Sequence, residues 1–347
     1  MAVLLDILAY NTHYLGFNAN MLANEMFLDS ADLRASVVSK AKAVGYTPIS
    51  STAAQAVIDV TVNNAVGSSL TMVRGTQFST TVDGTSYNFV TNADLSITPV
   101  DGVYKFSNVD IFEGTYLNFK YTVNTSDIDQ RFIIPNDNVD TNTLTVKVQE
   151  SSSDSTTNTY TLATGITGLD STSKVFFLQE VENGRYEVTF GDGVLGKAVA
   201  DGNIIITDYI NTNTTQANSA TTFTLNGSIG GFSNATVTTV NDAGGGSLPE
   251  SIQSIKYNAP RDYTAQDRAV TADDYKVLVK TLYANAQAVQ VYGGEDAAIP
   301  DYGKVYISIK AKSGSTLTEL TKAGIVTSLK QYAVASIRPV IIDPEIT

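Results

Sequence analysis

Cysteine and tryptophan are both absent from this chain of 347 residues, and histidine occurs once, at His13. Without cysteine there is no disulfide, no thiolate metal site and no cysteine nucleophile, which fits assembly in a reducing cytoplasm. One histidine leaves a Ser-His-Asp triad a single candidate base, and no serine sits in a G-x-S-x-G elbow. Without tryptophan, a sugar-stacking platform would fall to tyrosine alone. Basic residues are scarce: 22 Lys and Arg stand against 35 Asp and Glu, a formal net charge of -13. That balance repels a phosphate backbone, so no nucleic-acid partner is expected. No apolar run approaches the roughly 18 residues of a membrane span. The opening MAVLLDILAYN carries neither a basic n-region nor a small-residue cleavage site, so it does not read as a signal peptide.

Residues 1–46 read as two helices. The first is apolar over most of its circumference, with Leu4, Leu5, Ile7, Leu8, Tyr14, Leu15, Phe17, Met21 and Leu22. Such a helix needs neighbours on more than one side. Leu4, Leu8, Leu15 and Leu22 fall on a heptad-like seam, with Asn11 and Asn18 between them. Polar residues in such a seam fix register and partner number at a cost in stability. Packing against other chains is favoured over docking on the chain's own domain. The second helix is expected to start near Asp29 or Ser30, both good N-caps, and to stop at Gly45 before Pro48.

From residue 50 the period changes to two. Phe78, Thr80 and Val82 lead into Asp83-Gly84, a hairpin signal, and Tyr87 and Phe89 return. Alternation recurs at Leu117–Val123, Leu144–Val148 and Tyr186–Phe190, whereas 151–159 (SSSDSTTNT) reads as a polar loop. Gly244-Gly245-Gly246 reads as a linker. Beyond it Thr271 caps a helix over 272–283. Strands are expected at 286–292 and 303–311, a helix at 316–332 and a strand at 337–342. The expectation is a multidomain α+β chain with N-terminal helices, an antiparallel sandwich or barrel-like middle and a C-terminal two-layer α/β sandwich. The segments are a helical assembly segment 1–48, β-rich domains 49–125 and 126–243, and an α+β domain 247–347.

Two motifs imitate chemistry. Gly191-Asp192-Gly193-Val194-Leu195-Gly196-Lys197 satisfies G-x-G-x-x-G after a strand and nearly satisfies a phosphate loop. Both functions need a helix to follow, and Asp201-Gly202 leaves no room for one, so a turn between strands is expected. Gly293-Gly294-Glu295-Asp296 resembles the cyclase signature turn but reads as a loop after a strand. No aspartate-rich stretch fits D-x-[DN]-x-[DN]-G with a closing glutamate. No catalytic residue, cofactor or metal is expected, and no small-molecule substrate.

Three segments together resemble the baseplate J-like family, and within it the wedge subunits of T-even-type contractile tails. They are Leu4 to Pro48, Arg185 to Tyr209 (RYEVTFGDGVLGKAVADGNIIITDY) and Leu248 to Ile309, with APRDYTAQDRAVTADDY and VYGGEDAAIPDYGKVYISI at its heart. The resemblance implies a structural virion protein, assembled in the host cytoplasm. Such a protein links wedges into a ring around the tail hub and takes part in the rearrangement that triggers sheath contraction. Its implied partners are itself and other wedge proteins. The expected interface residues are Leu4, Leu8, Asn11, Leu15, Asn18 and Leu22. T-even-type members are usually longer, so a shorter homologue or a chain lacking flanking parts is expected. The competing reading is a tail-fibre-like or surface adhesin β-module that binds host glycans, which has no use for an exposed apolar helix pair.

Overall fold

The computed structural model describes residues 2–63, 65–163, 165, 168–265, 268–283, 286–297, 299–311, 317, 319–330, 332–334 and 336–344. Two helices open the chain, α1 (Ala2–Asn24) and α2 (Arg34–Ala43). The expected caps Asp29 and Ser30 do not start α2. Its N-cap is Leu33, which has no capping side chain. The Glu25 carboxylate does that work from the end of α1, accepting from Asp32 N (2.9 Å) and Leu33 N. A bond from Ser36, with those two, holds its carboxyl below the usual range. The helix stops as expected at Gly45, whose φ is +84°. Gly45 N donates to Lys42 O and Tyr46 N to Ala41 O, the two bonds of a Schellman ending.

The chain then builds β1 (Gln55–Val62), β2 (Leu70–Met72), β3 (Gln77–Val82), β4 (Thr85–Thr91), β5 (Leu95–Ile97) and β6 (Tyr104–Glu113). Alternate residues of β1 face inward: Ala56, Ile58, Val60 and Val62. Asp83 (φ +49°) and Gly84 (φ +80°) turn β3 into β4, the left-handed pair that a two-residue hairpin needs. A second set follows: β7 (Thr115–Thr122), β8 (Phe132–Ile133), β9 (Val139–Ser151), β10 (Asp154–Leu162), β11 (Val175–Glu180), β12 (Tyr186–Phe190) and β13 (Ile204–Asn211). Then β14 (Thr224–Asn226) and β15 (Ala235–Gly244) return to the first set.

The first sheet has the order β14-β3-β4-β6-β1-β15, and the second β7-β13-β9-β10-β11-β12-β8. The sheets therefore do not follow the expected division at 125/126: β7 belongs to the second, while β14 and β15 pair with β3 and β1 of the first. Both curl. In the second, Tyr121 of edge strand β7 donates to Ile133 O of edge strand β8. Phe119, Tyr121, Phe132, Phe190 and Tyr160 form a chain of ring contacts across the closure. The barrel-like middle is as expected. The supposed loop 151–159 is mostly strand β10, paired with β9 from Asp154 to Tyr160. Its polar side chains face solvent, and among them only Tyr160 is buried, so hydropathy gave no sign of a strand that backbone pairing stabilises.

Gly114 marks the crossing between the barrels. Its φ is +126°, and a Cβ there would sit 2.4 Å from Asn211 O. Gly114→Ala is expected to cost about 2 kcal/mol or more through strain and displaced backbone. A fall in the urea midpoint would register it. The glycine triplet is no loose linker. Residues 244–246 are buried, and a Cβ on Gly246 would meet Thr214 O at 2.1 Å.

Past the triplet lies a helix that sequence reading did not place, α3 (Ile252–Ala265), with Pro260 inside it. Ile255 and Ala259 pack with Val37, Val38, Ala41 and Tyr46 of the α2 region in a small separate core. That packing offsets the proline's cost. The last module is α4 (Ala272–Leu282), β16 (Ala286–Gly293), β17 (Lys304–Ala311), α5 (Glu319–Leu329) and β18 (Arg338–Ile342). Thr271 and Asp274 form a reciprocal capping box at the start of α4. The sheet order is β16-β17-β18, antiparallel then parallel. Tyr275, Leu278, Val279, Ile325 and Leu329 from the helices share a core with Val291, Ile307 and Ile309. Residues 316, 318 and 331 of the expected helix 316–332 lie outside the described residues.

Candidate assembly interface

Among the described residues, no element packs against α1 to bury any part of it. Its side chains from Val3 to Asn24 are all exposed, including the six expected interface residues Leu4, Leu8, Asn11, Leu15, Asn18 and Leu22. Leu15 is 67% exposed and Leu22 70%. The helix spans about 35 Å at 1.5 Å per residue. The six residues follow a 4-3-4-3-4 spacing and share one stripe. A second stripe, Val3, Ile7, Tyr10, Tyr14, Phe17 and Met21, repeats that spacing one residue earlier. At 100° per residue the two stripes lie side by side, so the apolar surface covers about half the helix. Tyr10 and Tyr14 rings touch at 5.1 Å. Asp6, Thr12, His13, Gly16 and Asn20 occupy the opposite side, where Leu5 is the large apolar residue among them. A monomeric soluble protein rarely leaves such an area uncovered.

Behind this arm the barrels are clasped by buried polar groups that sequence reading missed. The Glu113 carboxyl, at the end of β6, accepts from Thr212 Oγ1 (2.7 Å), Asn213 N (2.9 Å) and Asn213 Nδ2 (2.7 Å) beyond β13. Arg74 reaches across to Thr143 O (3.0 Å), lies 3.7 Å from Asp208 and rests 5.1 Å over the Tyr116 ring. Burial raises the pKa of Asp208, but bonds from Asn118, Tyr116 and Lys147 outweigh it, and the carboxyl titrates below its usual range.

Asp140 on β9 accepts from Ala53 N (2.9 Å) and Asn142 N (2.9 Å). Burial pushes its pKa up to about 6 despite those bonds. An unfolded aspartate titrates near about 3.9, so between these values the folded chain holds a proton that the unfolded chain has lost. The contribution is complete below about pH 4 and lost above about pH 6, on the order of 3 kcal/mol. Asp140→Asn removes it. The stability of the native chain relative to this variant is expected to fall by that amount between pH 4 and pH 7, read from urea unfolding at both.

The chemical lookalikes resolve as turns. Gly191–Lys197 leads through an irregular stretch into β13 with no helix, and Asp192 Oδ1 accepts from Val194 N and Leu195 N within the turn. Lys197 pairs with Glu150 at 3.2 Å. Gly294–Asp296 is one 3-10 turn after β16. Among the described residues no group of three or more His, Asp or Glu could hold a metal ion, and no helix is long and apolar enough to cross a membrane.

Comparison with known proteins agrees at both ends of the chain. Residues 1–46 match the family model described as baseplate wedge protein gp6-like, helical domain. Residues 271–342 match baseplate structural protein gp6, C-terminal domain I. The baseplate wedge protein gp6 of Enterobacteria phage T4 is 31% identical over 373 aligned positions, covering 99% of this chain and 54% of that protein. The chain thus spans about half the length of this curated relative. A chain of the cryo-EM structure of the anti-feeding prophage baseplate, 6-fold symmetrised, aligns at 13% identity with a TM-score of 0.34, over 99% of this chain and 67% of that one. The helical arm, the C-terminal α/β module and the end-to-end alignment agree, and the chain belongs to the gp6-like baseplate wedge proteins of T-even-type contractile tails.

Proposed function

We propose that this chain is a non-enzymatic structural subunit of a contractile-tail baseplate, held in a wedge through α1. There it links neighbouring wedges into a ring around the hub and takes part in the rearrangement that triggers sheath contraction. The observation that carries the reading is the uncovered α1. It is a long helix, apolar over about half its circumference, with Leu4, Leu8, Leu15 and Leu22 in one stripe and Asn11 and Asn18 setting register between them. Two adjacent stripes suit a helix lying between two others, from a second copy and from another wedge protein. The C-terminal module supplies a second surface, and two different contacts on one subunit can close a ring. The reading uses no cofactor, nucleic acid or small-molecule substrate.

The test is an antibody against this chain applied to lysate particles in the electron microscope. Label is expected at the base of contractile tails. Label on fibres or cell surfaces overturns the reading.

A further inference from the structure

The helical unit α2–α3 joins the barrels through a neck of two chain segments, 47–52 and 247–251. They are tied by Thr52 N to Ser247 O (3.0 Å), Ser247 N to Thr52 O (3.0 Å) and Glu250 N to Ile49 O (2.9 Å). Each segment carries a proline, Pro48 and Pro249, which offers no backbone donor to the ribbon. On the barrel side the neck is anchored: Ser50 Oγ lies 2.9 Å from Thr141 Oγ1, and Ala53 N donates to Asp140. On the helical side it is bound to α3. The Glu250 carboxyl accepts from Tyr46 OH (2.9 Å), Ile49 N (3.2 Å), Ser254 Oγ (2.6 Å) and Asn258 Nδ2 (2.8 Å). With their shared apolar core, α2 and α3 form one body.

Between that body and the second barrel the short contact is ionic. Arg34 of α2 grips Glu180 of β11 with a two-pronged pair, Nε to Oε1 at 2.7 Å and Nη2 to Oε2 at 2.8 Å. Its remaining nitrogen, Nη1, donates to Glu250 O at the neck. The Glu180 side chain is 1% exposed and that of Arg34 28%. Among the described residues, the other hydrogen bonds across this boundary, Thr47 Oγ1 to Leu178 O and Tyr186 OH to Pro48 O, are both long at 3.4 Å. A polar boundary can part and re-form without exposing a hydrophobic core, which the apolar α2–α3 contact cannot.

We infer that α2 and α3 swing as one body on the two-segment neck, and that the Arg34–Glu180 pair is the latch that fixes the orientation in which the arm α1 is presented. The device goes beyond the baseplate reading and is tested on the full chain alone. The absence of cysteine lets pairs of introduced cysteines carry spin labels uniquely. Pulsed dipolar distances would be taken for Ser39→Cys with Thr156→Cys (helical body to second barrel), Ser39→Cys with Tyr263→Cys (within the body) and Ser86→Cys with Thr156→Cys (barrel to barrel). All three distributions are expected to be narrow in the native background. Arg34→Gln should at least double the width of the first and leave the other two unchanged. Arg34→Lys keeps the charge but not the fork, and should give an intermediate width. An unchanged first distribution in both variants overturns the latch. Broadening of the Ser39–Tyr263 pair overturns the single body. Either failure leaves the antibody result at the tail base untouched.

Discussion

A single Leu15→Asp substitution is expected to stop this chain entering a baseplate while leaving its own fold unchanged. The two halves of that result have different causes. Leu15 lies exposed on α1, so its loss leaves no cavity and the unfolding transition stays where it was. In an assembly the same leucine would be buried, worth about 1.5–3 kcal/mol, and an aspartate there would add an unpaired buried charge. The sum corresponds to at least about a hundredfold in affinity. Leu8→Asp and Leu22→Asp should behave alike, because each lies in the same stripe about two turns from Leu15. Asn20→Asp, on the opposite side, should assemble normally. Co-sedimentation with wedge particles, with circular dichroism melting of each variant, reads both halves. Normal assembly of Leu15→Asp would remove α1 from the account.

The second large effect lies at the barrel clasp. Glu113→Ala is expected to destabilise the chain by about 1–3 kcal/mol, because the buried Thr212 Oγ1 loses its acceptor and the two donors of Asn213, at the exposed edge, lose theirs. Since those donors follow β13 and the acceptor ends β6, the loss should also uncouple the barrels. One cooperative urea transition for the β region should become two. Glu113→Gln keeps one oxygen acceptor and should lose less. A single undiminished transition in Glu113→Ala would show that the barrels are coupled elsewhere, through Arg74 or Asp140.

What sequence reading recovered is what neighbours along the chain determine. Gly45 stops α2, Asp83-Gly84 turns a hairpin, and Thr271 caps α4, each through bonds a few residues long. The apolar excess of α1 was visible because periodicity is local. What it missed depends on remote partners. Glu180 finds Arg34 across 146 positions and Asp140 finds Ala53 across 87. No spacing rule encodes such pairs, and a carboxylate at the end of an alternating strand reads as solvated until the other segment is placed. The return of β14 and β15 to the first barrel was hidden for the same reason. Strand β10 was lost to its polar composition. Helix α3 was not placed at all; it contains Pro260, ordinarily a helix breaker, and is held by Ile255 and Ala259 packing on α2. The glycine triplet looked like a linker because glycine marks both freedom and close approach, and only the contacts of Gly246 decide between them.

Hydrogen–deuterium exchange of residues 3–24 tests the central claim most directly, measured in the isolated chain and in purified baseplates. An uncovered helix exchanges quickly. Burial between partner helices should slow the amides of that segment by at least about a hundredfold, in line with the affinity assigned to each leucine. Equal exchange in both states would show that α1 stays uncovered in the particle, and would contradict the assembly role built on it.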